Sequence, residues 1–377
     1  MPALHPTAPR ATAVLAALAC TMGLVACGST APDAGSAATL DGQPPLVIAH
    51  RGASGYLPEE TLEAYARAIE LGADVIEMDL VSTRDGVLIT RHDPNLALST
   101  DVASRPEFAA RKRTMQVDGE TQTGWFSQDF TLAEIKRLGA ISTDAERPQQ
   151  YNGRYKVPTF QEVLELVKAA EQRTGKPVAI YPETKNPTFF RDLGLPMEDK
   201  LIAMLERAGL NSKAAPVFVQ SFEPGSLKYM KGKGLKTKLI QLIDGDGVDM
   251  KTGAITYAVP VDRPYEWTKA GDKRNFDVMV TPAGLAEIRT YADGIGPWKR
   301  YIVSTPMPPR WRPPRWWPTR TRPASSCTPS PFATRSAAWE PITRVTRCRN
   351  TWPSTAPGWT ACSPTSPTPP SARGRNS

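Results

Sequence analysis

From Leu46 to Val303 short apolar runs alternate with helical stretches, and after Val303 the alternation stops. Strands separated by helices are the pattern of a parallel α/β fold, because parallel neighbours need a long crossover between them. The candidate strands are Leu46–Ala49, Val75–Leu80, Val87–Arg91, Val178–Glu183, Val217–Phe222 and Lys238–Ile243. Within Glu60–Leu71, apolar residues at Leu62, Tyr65, Ala66 and Ile69 keep helical spacing, and Gly72 follows as a stop. The first two strands and this helix therefore read as a βαβ unit. Residues 93–177 form a long insertion after the third run and contain the helix-like Thr159–Ala170.

The two ends of the chain differ from this middle. Arg10 precedes a small and apolar run from Ala11 to Ala26, the layout of an export signal rather than of a spanning helix. Leu24-Val25-Ala26-Cys27 has the form of a bacterial lipobox, in which cleavage ahead of the cysteine frees its thiol for a lipid anchor. An ordinary secretory signal with an incidental cysteine shares that layout. The expectation is that residues 1–27 are a lipoprotein-type signal and residues 28–45, rich in Gly, Ala, Ser and Pro, a flexible tether. Such a protein sits in the cell envelope, periplasmic or on the outer face of the membrane, held there through Cys27.

Residues 304–377 hold 11 Arg, no Lys and one acid, Glu340, so they carry +10 of a formal net charge of +8 and leave −2 for the rest. They also hold 16 of 37 Pro and 6 of 9 Trp, without apolar periodicity. A nucleic-acid-binding tail would mix Lys with Arg inside a fold or a repeat, and this one does neither. A slipped reading frame accounts for it better. Shifted by one base, Trp316–Arg335 can encode VVADAHAAGLVVHPFTFRNE, and the stretch ending at Ser371 can encode GVDGLFTDFPDTAV. The slip would lie near Val303–Pro306, and resequencing those codons decides it.

The chemistry gathers at the strand ends. Outside the leader there are only two histidines, His50 in VIAHRG and His92 in VLITRHD. Imidazole is the side chain that changes charge near neutral pH without special burial. Arg51 offers a planar, permanently charged fork for phosphate oxygens, with Gly52 and Gly55 allowing a tight turn. In VIEMDL, Glu77 and Asp79 are two apart and so point to one face of a strand, while Glu183 ends another strand in IYPETK. Three carboxylates in apolar runs need a cation, and an oxygen-only set favours Ca²⁺ or Mg²⁺ over Zn²⁺. A salt-bridged pair at a sheet edge would show the same spacing. Asp93 stands next to His92 as an orienting partner.

HRGASGYLPEETLEAYARAIELGADVIEMDLVSTRDGVLITRHD resembles the opening of the glycerophosphodiester phosphodiesterases. The likeness continues through TGWFSQDFTLAEIK, YKVPTFQEVLELV, IYPETKNP, VFVQSF and TPAGLAEIRTYADGIGPW, covers about residues 46–303, and is nearest the periplasmic branch. The resemblance implies a (β/α)₈ barrel with its site at the C-terminal strand ends. It implies that His50 and His92 act as general acid and base and that Glu77, Asp79 and Glu183 bind a divalent cation, Ca²⁺ ahead of Mg²⁺. Arg51 matches a phosphate-contacting arginine, and Glu59, Lys185 and Gln220 match further substrate-binding positions.

The implied reaction is hydrolysis of a glycerophosphodiester to sn-glycerol 3-phosphate and an alcohol. The family usually reads E-N-T or E-H-T where this chain has Glu59-Glu60-Thr61, and Glu60 is expected to face outward. The shifted-frame strings resemble the family's last two barrel strands, so the chain as written is expected to lack them and to leave two sheet edges open. A phospholipase D of the same superfamily and a ligand-binding lipoprotein without turnover are the competing readings. No nucleic-acid partner is expected.

Overall fold

The structure, a computed structural model, describes residues 44–249 and 251–303 together with the backbone of two short tail segments. The leader, Cys27, most of the tether and the rest of the tail lie outside the described residues. The central sheet takes in β1 (Val47–Ala49), β2 (Val75–Ser82), β6 (Ala179–Thr184), β7 (Phe218–Ser221), β8 (Lys238–Ile243) and β11 (Gly294–Pro297), side by side and parallel. Helices cross between them: α1 (Leu62–Glu70), α3 (Phe160–Thr174), α5 (Glu198–Arg207), α6 (Pro224–Gly232) and α8 (Pro282–Ile288). Short helices α2 (Leu132–Ile135), α4 (Pro187–Asp192) and α7 (Tyr265–Ala270) sit in the connections. This curled parallel sheet with its alternating helices is a half-barrel of the (β/α)₈ barrel class, open between its two edges among the described residues.

Local chemistry fixes the helix ends. Thr61 caps α1, its hydroxyl accepting from the Ala64 amide at 3.1 Å, so the helix begins at Leu62 rather than Glu60. Glu60 has φ 59° and cannot be its first turn. At α3 a reciprocal capping box joins Thr159 and Glu162, and Gly175 ends the helix in the left-handed region at φ 66°.

Five of the six strands read from the sequence belong to the parallel set. The sixth, observed as β3 (Leu88–Thr90), runs antiparallel to β2 and is a hairpin arm outside the barrel order. Its place in the count is taken by β11, whose GIGP sequence combines two glycines and a proline and so carries no strand signal. The insertion contributes a second hairpin, β4 (Arg113–Val117) with β5 (Glu120–Gly124). A third hairpin, β9 (Gly247–Val248) with β10 (Ile255–Thr256), lies between β8 and β11.

The edges are not bare. β12 (Thr343–Arg344) pairs antiparallel with β1, and β13 (Thr360–Ala361) pairs parallel with β11. Each contact is only two residues long, so two-residue segments of the tail stand where full strands were expected to be missing.

Alternation along the strands sorts the side chains. Ile76, Met78 and Leu80 of β2 face the helices, in the main core. Val75 faces the interior with Ile48, Tyr181, Phe218 and Ile240, one residue from each of five adjacent strands. Two residues further along, the same inward rows carry His50, Glu77, Glu183, Gln220 and Leu242. The interior thus changes from apolar to polar toward the C-terminal strand ends.

Candidate active site

The structure brings the sequence-derived residues of β1, β2, β6 and β7 to one end of the sheet. Register sets Asp79 opposite Glu183 and Glu183 opposite Gln220. Gln220 Nε2 donates to Glu77 Oε1 at 2.9 Å, and the Arg51 amide donates to Glu77 Oε2 at 2.9 Å. Both oxygens of Glu77 are therefore fixed. Arg51 Nε stands 3.0 Å from Asp79 Oδ2, and its Nη1 donates to Glu59 Oε1 at 3.1 Å. The Arg51–Asp79 contact is an ion pair without hydrogen-bond geometry, which leaves Asp79 Oδ2 buried with no donor. Lys185 Nζ is 3.0 Å from Glu183 and 4.0 Å from Asp79.

Glu60 corrects the expectation of an outward side chain: it is fully buried. Its Oε1 accepts from the Asp79 amide at 3.0 Å, and Tyr65 donates its hydroxyl to Oε2. Glu60, Glu77 and Asp79 each present an oxygen within 4.8 Å of the other two, a buried acidic triad able to hold a metal ion. Glu183, expected as a ligand, is outside this tightest set and is engaged by Lys185. The sequence did contain a signal for Glu60. Asn and His, the usual residues there, tolerate positive φ, so the position marks a left-handed turn that folds its side chain back over the site.

The electrostatics are those of crowded anions. Burial and the neighbouring Asp79 and Glu60 carboxylates push Glu77 well above the usual carboxylate range. Burial pushes Glu183 up to about 8, against the pull of Lys185, with Asp79 adding to the rise. Asp79 goes the other way: burial would raise it, but Lys185 and Arg51 hold it below its ordinary value. One carboxylate is thus ionised while its neighbours resist ionising, and an added divalent charge would relieve that resistance. Burial and the Arg51 guanidinium push the half-buried His50 imidazole down to about 3, so it is neutral at pH 7.

His92 lies two residues beyond β3, half-buried, with Nδ1 at 3.0 Å from Asp93 Oδ2, the orienting partner expected from sequence. Glu59 is buried and takes Arg51 on one oxygen; on the other it accepts from Thr143 at 3.1 Å and Arg147 at 3.2 Å.

Arg91 was not singled out in the sequence, yet it holds this corner. Fully buried, it donates to the carbonyls of Thr90, Ser99, Glu59 and Glu60 at 2.6–2.8 Å. An arginine at the end of an apolar strand was the available signal, since a buried guanidinium must find several acceptors.

Comparison with known proteins bears on what this corner does. A glycerophosphodiester phosphodiesterase of Arabidopsis thaliana is 41% identical over 271 residues, 69% of this chain and 66% of its own length. The glycerophosphodiester phosphodiesterase of Haemophilus influenzae is 34% identical over 67% of this chain and 68% of its own. The chain thus spans about two thirds of the length of these relatives. Among solved structures, a phosphodiesterase of Oleispira antarctica aligns with 68% of this chain and 76% of its own, at 18% identity and a TM-score of 0.45. Residues 50–302 match the glycerophosphoryl diester phosphodiesterase family, and the chain belongs to that family of phosphodiester hydrolases.

Proposed function

We propose that this chain hydrolyses glycerophosphodiesters to sn-glycerol 3-phosphate and an alcohol, with His50 and His92 moving the protons. The observation that carries this reading is the meeting of both histidines' strand ends with the Arg51 guanidinium and the buried carboxylates of Glu60, Glu77 and Asp79. A phosphodiester is an anion that repels nucleophiles, and Arg51 withdraws charge from its oxygens. One imidazole takes a proton from the attacking hydroxyl while the other returns one to the departing alcohol oxygen. Asp93 holds the ring of His92 in one orientation. Lys185 and Gln220 keep Glu183 and Glu77 in place.

Glu60, Glu77, Asp79 and Glu183 fit a divalent cation: all offer oxygen, all are buried, and Asp79 Oδ2 has no hydrogen-bond donor. So many carboxylates favour Ca²⁺, which takes six to eight oxygen ligands, over Mg²⁺, which keeps its waters. Bound there, the ion would supply Lewis-acid withdrawal of phosphate charge.

The test is release of glycerol 3-phosphate from glycerophosphocholine by the full chain, with and without EDTA, beside His50→Ala. Turnover that EDTA suppresses, CaCl₂ restores and the variant lacks is expected. Undiminished turnover in His50→Ala would refute the histidine role. Ligand binding without turnover is the second reading, favoured by the position of His50 at the end of an edge strand held on its outer side by only two residues.

A further inference from the structure

Glu59 is buried, and its carboxylate is shared by two guanidinium groups. Arg51 Nη1 donates to Oε1 at 3.1 Å, while Oε2 accepts from Arg147 Nη1 at 3.2 Å and from the Thr143 hydroxyl at 3.1 Å. Thr143 and Arg147 come from one loop of the insertion, 84 and 88 residues further along the chain. That loop has its own framework. The Ser142 amide donates to Asn152 Oδ1 at 2.8 Å, the Arg147 amide to the Asp144 carbonyl at 3.1 Å, and the Ile141 amide to the Ser99 carbonyl at 3.0 Å. Arg91 spans the Ser99 and Glu59 carbonyls at 2.8 and 2.7 Å, so the root of the loop and the backbone of Glu59 share one frame.

A carboxylate alone with one arginine commonly takes it as a fork, both oxygens on two parallel N–H groups. Glu59 does not, because its second oxygen is occupied and it meets Arg51 at one nitrogen. Arg51 Nε stands 3.0 Å from Asp79 Oδ2, so the guanidinium is held between two acids. Its Nη2 makes no hydrogen bond among the described residues and is the nitrogen left to a phosphate oxygen. Arg147 brings the second positive charge that keeps Glu59 from claiming Arg51 whole. We propose that Arg147 is a positioning residue for Arg51: by occupying the far oxygen of Glu59 it prevents a fork from closing on Arg51 and keeps Nη2 turned to the phosphate. The insertion loop thus sets the affinity of the site for phosphate without touching the ligand. This rests on the phosphodiesterase reading, which makes Arg51 a phosphate contact.

Calorimetric titration of the full chain with sn-glycerol 3-phosphate, a readout independent of turnover, tests it in Arg147→Met, Glu59→Gln and the two combined. Arg147→Met is expected to weaken binding about fivefold. Because Arg147 acts through Glu59, the same change made on top of Glu59→Gln is expected to cost nothing further. Arg147→Lys should recover most of the loss, since one ammonium donor suffices for one oxygen. Steady-state rates on glycerophosphocholine should place the loss in KM, with kcat within about twofold. Equal affinity in Arg147→Met, even with a lowered thermal midpoint, would assign the arginine to stability alone and overturn the proposal. Losses that add in the combined variant, as for a direct ligand contact, would overturn it too. The phosphodiesterase reading fails separately, on absence of glycerol 3-phosphate released from glycerophosphocholine by the unmodified chain.

Discussion

Replacing Arg91 should damage both stability and turnover, by amounts that can be worked from its four bonds. The guanidinium donates to the carbonyls of Thr90, Ser99, Glu59 and Glu60 from a fully buried position. In Arg91→Met the Ser99 carbonyl keeps the Ile141 amide at 3.0 Å and the Glu60 carbonyl keeps the Thr90 hydroxyl at 3.2 Å. The carbonyls of Thr90 and Glu59 lose a charged donor outright. At about 1–3 kcal/mol for each buried group left short, and with some relief from no longer burying a charge, the net loss is about 3 kcal/mol. Arg91→Lys should recover little, because an ammonium is a point charge and cannot span four carbonyls.

The consequence for the site follows from what the bonds hold. Glu59 and Glu60 stand on the turn they fix, and Glu60 is at φ 59°. A freed turn relaxes away from the left-handed region and carries the Glu59 and Glu60 carboxylates off Arg51 and the Asp79 amide. Urea unfolding of both variants, with kcat and KM on the fraction that remains folded, measures the two effects. A stability loss under about 1 kcal/mol, with unchanged kcat, would show that the turn holds itself and the reasoning is wrong.

Two further outcomes are expected. Glu223 is buried, accepts from Thr188, and is pushed up to about 8 by burial first, with Asp118 and Glu266 adding to the rise. A carboxyl raised above its unfolded value of about 4.5 stabilises the fold below that value, and this contribution disappears as pH climbs through 8. Glu223→Gln, a mimic of the neutral acid, should be more stable than the unmodified chain at pH 9 by on the order of 3 kcal/mol and no more stable at pH 4; equal stabilities at pH 9 count against the assignment. Attachment to the cell envelope through Cys27 is proposed as well. Cys27→Ala should move the protein from the membrane to the soluble fraction and abolish incorporation of labelled fatty acid, and continued labelling would contradict it.

Where the sequence was informative, one period dominated. The run VIEMDL showed that Glu77 and Asp79 share one face of β2, because a strand has only two sides; the structure adds that both faces are buried. The helix-like stretch read from Thr159 likewise matched α3, whose start is held by the capping box of Thr159 and Glu162. The misses have non-local causes. β3 has the composition of a barrel strand, but its pairing direction depends on a connection too short for a parallel crossover, which alternation alone does not report. β11 owes its place to pairing with β8, since Gly294, Gly296 and Pro297 have no β propensity of their own. Glu60 was misplaced because helical spacing was extended over a residue whose backbone is left-handed.

Binding and turnover should differ in how firmly this chain holds them, because the site is divided unequally between edge and centre. Glu77 and Asp79 are on β2, paired with β6 over six residue positions, and Gln220 is on β7, between β6 and β8. These carboxylates and their partners belong to the middle of the sheet. His50 follows β1, which is three residues long, meets β2 at two positions and is covered on its other side by the two residues of β12. Short pairing at an edge opens at lower free energy than pairing in the centre. The first departure from the native arrangement therefore draws His50 away while Glu77, Asp79 and Glu183 stay together. The Arg51 amide bond to Glu77 is the tie opposing that step, and it joins the moving segment to the fixed one directly. On the proposed reading, the carboxylates of β2 and β6 are the more durable half of the site, and loss of the imidazole that follows β1 is the step expected to end turnover first.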